Sequence, residues 1–130
     1  MHKNSLILAS ILLAAAVALG AFGAHGLKEL VPPQAVNSFE TGVRYHFYHS
    51  FAILAAAIIY ASFPLKGILT AARLFLTGII LFSGSLYAMA LLQVKGAAGL
   101  SGIGIITPFG GLFFIAGWLV LAITLARSKR

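Results

Sequence analysis

The chain has 130 residues, of which 61% are hydrophobic and 8% charged, and its formal net charge is +7. An average soluble domain is about 25% charged, so this composition excludes an ordinary water-soluble fold and favours one membrane domain over residues 1–130. The absence of cysteine excludes disulfides and thiolate chemistry, and basic residues that stand singly do not form the basic face that nucleic-acid binding requires.

Four long stretches of the chain lack Lys, Arg, Asp and Glu. Each is long enough for the roughly 20 helical residues that cross the core of a bilayer. We therefore predict an all-α fold, a bundle of four transmembrane helices with spans at about residues 5–24, 44–63, 74–94 and 108–126.

The first span is rich in Leu, Ile and Ala and has small residues at every fourth position, namely Ala16, Gly20 and Ala24. Such a stripe lets a neighbouring helix approach closely in lipid. The start of the chain is similar to a signal peptide, with one basic residue, an apolar core and small residues near Gly23. We expect it to remain uncleaved, as the first span.

The second helix is predicted to begin at Pro33, because proline suits the first turn of a helix. No further proline occurs before Pro64, and a helix of that length, about 45 Å, exceeds the roughly 30 Å thickness of a bilayer core. Its first third is amphipathic, with Phe39, Val43 and Phe47 among polar residues. We therefore expect an interfacial amphipathic segment before the second span.

A glycine-rich loop precedes the last span. Thr107 followed by Pro108 predicts the start of the fourth helix, with Thr107 as its N-cap. The loop glycines match neither a dinucleotide-binding nor a P-loop signature. The chain also has no plausible catalytic pair, since it contains no Cys or Asp and its two Glu residues lie in one outer segment.

The distribution of basic residues predicts the orientation of the chain. Six of them fall on the side of both termini (Lys3, Lys66, Arg73, Arg127, Lys129 and Arg130), and three fall on the other side (Lys28, Arg44 and Lys95). Because cytoplasmic loops carry the excess of Lys and Arg, we expect both termini in the cytoplasm.

In that orientation several polar side chains fall at one level near the outer surface: His25, Arg44, His46, His49, Tyr87, Gln93 and Thr107. Polar groups within lipid normally face the bundle and find partners there, so these side chains are expected to meet in one cluster. On a helical wheel His49 shares a stripe with Tyr45, Ala52 and Ala56. Its partner is expected from span 3, from Ser83, Ser85 or Tyr87.

Simpler interpretations stay open for each of these residues. His49 is equally explained by one hydrogen bond that fixes helix packing, and Arg44 by anchoring at the interface. The histidines offer too few convergent ligands for zinc, and haem ligation by His25 and His49 is a third, less favoured interpretation. We expect no metal and no cofactor. Every span lacks the buried acid that proton-coupled drug export requires.

Four motifs in the chain resemble one known family. They are GAFGAHGLK, FETGVRYHFYHSFAIL, FSGSLY and ITPFGGLFFIAGW, and they extend from about Gly20 to Trp118. Together they resemble the small four-helix membrane proteins of domain of unknown function 423, whose eukaryotic relatives are small transmembrane proteins. The resemblance implies a bacterial inner-membrane protein without a known activity. Its motifs single out Gly23, His25, Gly26, His49, Ser83, Gly84, Ser85, Tyr87, Thr107, Pro108 and Gly110, whereas His46 stands where the family has glutamine.

We therefore predict a non-enzymatic membrane protein with a polar pocket in the outer leaflet. The predicted ligand-binding residues are His25, Arg44, His49, Ser83, Ser85, Tyr87 and Thr107. The expected partners are the lipid bilayer, a bound lipid or hydrophobic small molecule, and a membrane protein or second copy of the chain, but no nucleic acid. The alternative is a small channel or transporter in which His25 and His49 form a polar or proton pathway.

Overall fold

The computed structural model describes residues 1–96 and 101–129, and every regular element in this part of the chain is helical. The helices are α1 (Lys3–Ala24), α2 (Pro33–Ile59), α3 (Lys66–Gly78), α4 (Gly84–Val94), α5 (Ser101–Gly104) and α6 (Ile106–Arg127). A 3₁₀ turn (Leu27–Glu29) follows α1, and a π-helical segment (Ile79–Ser83) joins α3 to α4 without a break. The predicted all-α fold is therefore confirmed, with four long helical segments.

The central element of the bundle is α2. It packs against α1 on one side and against α3, the π-helical segment and α4 on the other, while α6 packs mainly on α3 and the π-helical segment. The buried residues of α2 extend over its whole length: Val36, Phe39, Gly42, Val43, His46, His49, Ser50, Ala52, Ile53, Ala56 and Ala57. This position explains why the most polar of the long helices is also the most enclosed, since polar side chains in an apolar setting need protein partners.

Small residues bring α1 close to α2. Its buried residues, Ala9, Ala16 and Gly23, are spaced seven apart, which is the repeat of two helices in a left-handed pair. A Cβ at Gly23 would lie 2.9 Å from the ring of Phe39, so a larger residue would not fit there. Of the predicted stripe with four-residue spacing only Ala16 is buried, because the contact follows the seven-residue repeat.

The amphipathic first third of α2 is covered by protein. Its apolar residues Val36, Phe39 and Val43 are buried with Leu27 of the 3₁₀ turn and Ala90 of α4. The expected interfacial segment is therefore not a separate element before the second helix. It is the first third of α2 itself. The neighbouring residues cover its apolar face, which we had assigned to the lipid surface.

The predicted helix start at Pro33 is confirmed, but the predicted start of the last helix is wrong. The helix that contains the predicted span 74–94 begins at Lys66, directly after the short turn that contains Pro64. The last helix begins at Ile106, so Thr107 lies inside its first turn and does not cap it. The Thr107 hydroxyl is used instead in a contact between helices.

Three helical segments in the described part of the chain are long and apolar enough to cross a bilayer: Lys3–Glu29, Lys66–Val94 and Gly102–Arg127. The fourth long helix, α2, is not among them. It has sufficient length, but its central part carries Arg44, His46 and His49. The composition of the helices therefore supports three spans, and the prediction of four is not confirmed.

Glycines allow α6 to pack directly on the backbone of the neighbouring helix. A Cβ at Gly110 would lie 2.7 Å from the Cα atom of Phe82, within the π-helical segment. About two turns further along α6, a Cβ at Gly117 would lie 2.7 Å from the ring of Phe75. Close contact through small residues is a common way for helices to associate in lipid, and here it fixes the position of α6 beside the π-helical segment.

Candidate functional site

The structure does not gather the seven predicted ligand-binding side chains in one pocket. His25 and Arg44 are exposed. The other five, His49, Ser83, Ser85, Tyr87 and Thr107, make hydrogen bonds that link neighbouring helices or turns. Most of the polar groups that share a level in the bundle are therefore used separately to hold helices together.

His49 joins α2 to α6. Its Nδ1 lies 2.8 Å from the backbone carbonyl of Tyr45, one turn earlier in the same helix, and its Nε2 accepts a hydrogen bond of 3.1 Å from the indole N–H of Trp118. The prediction of a partner in span 3 is therefore wrong. The partner belongs to the last helix, because the His49 side of α2 faces α6 at this level.

These two contacts determine which nitrogen of His49 carries the proton. A carbonyl oxygen can only accept, so Nδ1 must donate, and an indole N–H can only donate, so Nε2 must accept. The ring is therefore the neutral tautomer protonated on Nδ1, with both nitrogens in use. In this arrangement His49 has no nitrogen left to bind a metal or haem iron or to pass a proton on.

Aromatic rings enclose His49. Its ring is stacked on Phe114 at a centroid distance of 3.5 Å and an interplanar angle of 10°, and it lies 5.6 Å from the ring of Phe75. Tyr45 packs on Phe82 at 4.7 Å. As predicted from the wheel, Ala52 shares the buried side of α2 with His49.

Two serines of the FSGSLY motif bond to different helices. The Ser83 hydroxyl, fully buried at the end of the π-helical segment, donates to the Gly42 carbonyl of α2 at 2.6 Å. The Ser85 hydroxyl lies 2.6 Å from the Thr107 hydroxyl of α6. This contact joins α4 to the first turn of α6.

Tyr87 contacts His46 of α2, which we had expected in the polar cluster but had not predicted to bind a ligand. Its hydroxyl lies 2.9 Å from Nδ1 of His46, and the Tyr87 ring packs at 5.0 Å on Phe39. His46 is buried, with 4% of its surface exposed. The pair joins α4 to α2 about 60° around the helix from His49 and uses a different partner, so it is separate from the His49 contact.

His25 and Arg44 lie outside the interior of the bundle. His25 ends α1 as its C-cap, and its backbone N–H bonds to the carbonyls of Ala21 and Phe22. It follows the buried Gly23 by two positions, or about 200° around the helix, so it faces away from α2. Arg44 lies on the exposed side of α2, one turn before Tyr48.

An apolar groove of about 610 Å³ runs between α2 and α6 and opens to the outside of the bundle. Its walls are formed by Tyr45, Tyr48 and His49 of α2 and by Leu112, Ile115 and Trp118 of α6. This volume falls in the range of roughly 300 to 1,000 Å³ that is usual for small-molecule sites. Of the seven predicted residues, the groove includes His49 alone.

Within the described residues, no three His, Cys, Asp or Glu side chains lie close enough together to hold a metal ion. Of the two candidate haem ligands, His25 is exposed on the surface of the bundle, whereas His49 is buried in its interior. The chemistry that the arrangement offers is therefore hydrogen bonding between helices and apolar contact in the groove.

Comparison with known sequences identifies the family. The profile described as "Protein of unknown function (DUF423)" matches residues 19–111. The chain belongs to this family. The match covers all the glycine, histidine and serine motifs up to Gly110, and it confirms the resemblance seen in the sequence. No solved structure matches the chain significantly.

Relatives of this DUF423 chain occur in distant bacteria and are named as membrane proteins. "UPF0382 membrane protein YwdK" of Bacillus subtilis is 38% identical over 122 residues, which cover 93% of this chain and 94% of the relative. A UPF0382 membrane protein of Haemophilus influenzae is 41% identical, covering 87% and 86% of the two chains. "UPF0382 inner membrane protein YgdD" of Escherichia coli is 35% identical, covering 88% and 82%. These names describe a family of uncharacterised membrane proteins.

The hydrogen bond from Trp118 to His49 was not anticipated from the motifs. Trp118 is the only tryptophan in the chain and ends the last motif. An indole N–H in an apolar helix needs an acceptor from another helix, and this requirement was a usable signal. His46 and Tyr87 were expected at the same level of the bundle, but the helical wheel did not show that the two side chains would bond directly to each other.

Proposed function

We propose that this DUF423 protein is a non-enzymatic protein of the bacterial inner membrane that binds one acyl chain of a phospholipid in the groove between α2 and α6. The observation that carries the proposal is the groove itself, with its aromatic and aliphatic walls. The histidine in its wall already has a partner on each ring nitrogen. An apolar occupant therefore suits the groove better than a polar one.

The length of the groove supports a lipid chain. On α6 its lining extends from Pro108 to Trp118, and ten residues of helix correspond to about 15 Å. This is half of the roughly 30 Å thickness of a bilayer core. The groove thus has the length of a single leaflet, which is the extent of one acyl chain.

Arg44 supports a phospholipid with an anionic head group. It lies on the exposed side of α2, one turn before the groove residue Tyr48. A guanidinium group forms strong, paired hydrogen bonds with phosphate. With the acyl chain in the groove, the head group lies at the end of the groove near Arg44.

The proposal includes α2 as a fourth membrane span with both termini in the cytoplasm. Its polar residues His46, His49 and Ser50 are buried against neighbouring helices, while Phe51 and Ile58 are exposed. A helix with polar groups facing inward and apolar groups facing outward suits lipid despite its moderate hydropathy. The excess of basic residues near the termini supports the orientation.

The alternative function, a channel or transporter, has less support. It required His25 and His49 to form a continuous polar pathway, but His25 is exposed at the end of α1 and His49 is enclosed by rings. Beyond Ser50, the α1–α2 contact continues with Ile53, Ala57 and Ala9, which are all buried and apolar. These residues leave no polar path along that contact.

Fluorescence of Trp118 tests the lipid proposal, because this residue lines the groove and is the only tryptophan. The purified protein in mild detergent is titrated with phosphatidylglycerol carrying brominated acyl chains, which quench indole fluorescence on contact. We expect quenching that saturates at one lipid per protein. Native mass spectrometry should show the same single phospholipid retained.

Two variants of α6 separate groove binding from general contact with lipid. Ile115→Phe adds bulk inside the groove, whereas Leu119→Phe adds it one turn further along α6, outside the groove. The two positions are similarly exposed, at 58% and 57%. Ile115→Phe should weaken the saturable quenching severalfold and Leu119→Phe should not. Quenching that never saturates, or that both variants affect equally, would contradict the proposal.

A further inference from the structure

Two buried polar atoms of α2 have no hydrogen-bond partner in the protein. They are Nε2 of His46 and the hydroxyl oxygen of Ser50. Ser50 is fully buried and His46 is 4% exposed. An unpaired polar atom in the interior destabilises the fold, so two such atoms in one helix point to a further binding partner.

The two atoms belong to one face of α2. His46 and Ser50 are four residues apart, so their side chains lie about 40° apart around the helix and one turn apart along it. This face is directed towards α1, because Val43, which precedes it, lies 3.4 Å from the position of a Cβ on Gly20, and Ile53, which follows it, belongs to the same buried cluster as Ala9. The Leu12 carbonyl of α1 faces His46, but outside hydrogen-bond geometry with Nε2.

Other helical hydroxyls behave differently from that of Ser50. Ser10, Thr41, Thr70 and Thr77 each donate to the backbone carbonyl four residues earlier, at 2.8 to 3.1 Å. This local bond is the usual arrangement for a hydroxyl inside a helix. Ser50 does not make it, although the carbonyl of His46 lies at the corresponding position, so its hydroxyl is directed elsewhere.

We propose that the α1–α2 contact contains a binding site for one water molecule between His46 and Ser50. A water molecule both donates and accepts, so it satisfies Nε2 of His46 in either tautomer and the Ser50 hydroxyl at the same time. The Leu12 carbonyl provides a third partner. Buried water typically makes about three hydrogen bonds to groups that the protein leaves unpaired, and this site offers three.

The proposed water completes a polar link across three helices. Tyr87 of α4 bonds to Nδ1 of His46, and the water connects Nε2 of the same ring to Ser50 and to α1. The link ends at Ser50, because the next residue of this face is the buried Ile53. It is therefore a structural connection within the membrane domain, and none of its residues lines the lipid groove.

Solid-state NMR of the full chain in lipid bilayers tests the site. The histidine rings are labelled with ¹⁵N, the His46 signals are assigned with a His46→Gln variant, and polarisation is transferred from water to the ring nitrogens. We expect clear transfer to Nε2 of wild-type His46. Absence of this transfer in the wild-type protein would overturn the proposal without the need for any variant.

Two serine variants provide the matched comparison. Ser50→Ala removes one partner of the water and should reduce the transfer to His46 at least threefold. Ser85→Ala removes another buried serine hydroxyl, which bonds to Thr107 on a different helix pair, and should leave the transfer unchanged. Equal transfer in Ser50→Ala and the wild type would show that Ser50 takes no part, and would also overturn the proposal.

Discussion

The indole N–H of Trp118 donates to Nε2 of His49 at 3.1 Å, and this bond joins the last helix to the central one. The opposite nitrogen of the ring is held by the Tyr45 carbonyl. His49 therefore works as a bridge with one acceptor and one donor, and its neutral form is fixed by the chemistry of its two partners. The bond lies in the wall of the groove, so packing and the proposed lipid site share this residue.

Trp118→Phe should destabilise the protein, because it leaves Nε2 of His49 buried without a donor. The expected loss is about 1 kcal/mol, the size usual for hydrogen bonds between membrane helices. Unfolding in mixed micelles with increasing denaturing detergent measures it. The His49→Phe variant has no ring nitrogen that the loss of the indole could leave unpaired. In that variant, Trp118→Phe should therefore lower the free energy of unfolding clearly less than it does in the wild type. Equal losses in both backgrounds would refute the bridging role.

Gly110→Ala should prevent correct packing of α6. The added Cβ would lie 2.7 Å from the Cα atom of Phe82, and neither backbone can move away easily inside the bundle. We expect a loss of several kcal/mol, seen as low yield and early thermal unfolding. Gly111→Ala is the matched control, since its Cβ would lie 4.0 Å from the Phe82 ring. Similar behaviour of the two variants would contradict the close approach.

Ser83→Ala should weaken the contact between the π-helical segment and α2. The hydroxyl of Ser83 is fully buried and donates to the Gly42 carbonyl at 2.6 Å. Its removal should cost about 0.6 to 1.7 kcal/mol in the same unfolding measurement. Thr77→Val serves for comparison, because the Thr77 hydroxyl bonds only within its own helix, to the Arg73 carbonyl. A larger effect for Thr77 than for Ser83 would reject this interpretation.

The proposed topology predicts that both ends of the chain lie on one side of the membrane. The natural chain contains no cysteine, so single cysteines can be introduced at Glu29, after α1, and at Ser128, after α6. An impermeant maleimide added to spheroplasts should label the cysteine at Glu29 immediately and the one at Ser128 only after permeabilisation. If α2 does not cross the membrane, three spans remain, and Ser128 and the N-terminal residue would be labelled from opposite sides.

Arg44→Gln should reduce the preference for anionic lipid. A basic residue near a membrane surface contributes about 1 kcal/mol to anionic-lipid attraction, which corresponds to roughly a fivefold weaker affinity for phosphatidylglycerol. Affinity for phosphatidylcholine should change little, because the acyl chain is bound by the groove. Arg73→Gln, which removes an exposed arginine of α3 far from the groove, should leave both affinities unchanged. An unchanged ratio in Arg44→Gln would exclude the head-group role.

Much of the fold was predictable because its signals are local. Proline at position 33 fixes a helix start through its own ring, and that start is confirmed. The long apolar stretches likewise gave the helices of residues 3–24 and 106–127 to within a few residues. The π-helical segment was not predictable, because residues 79–83 contain no proline or glycine that would mark an irregular turn.

The candidate site was less predictable than the fold. Both Ser85 and Thr107 were named as candidate site residues, but the contact between their two hydroxyls was not predicted from depth in the membrane. Depth alone does not define rotation about a helix axis, and for this reason His25 and Arg44 were wrongly expected inside the same cluster. Which faces meet depends on the order of helices in the bundle, and that order decides that His49 contacts Trp118.

The π-helical segment Ile79–Ser83 also determines the rotation of α4 about its own axis, and so the direction of its side chains. Compared with an α-helix, a wide turn accommodates about one additional residue, and each residue of an α-helix corresponds to about 100° of rotation. Deleting a single residue from this turn would therefore rotate α4 about its axis by roughly a quarter of a full rotation while leaving α3 in place. Ser85 would leave Thr107 and Tyr87 would leave His46, so the one wide turn sets the partners of α4 on both α2 and α6.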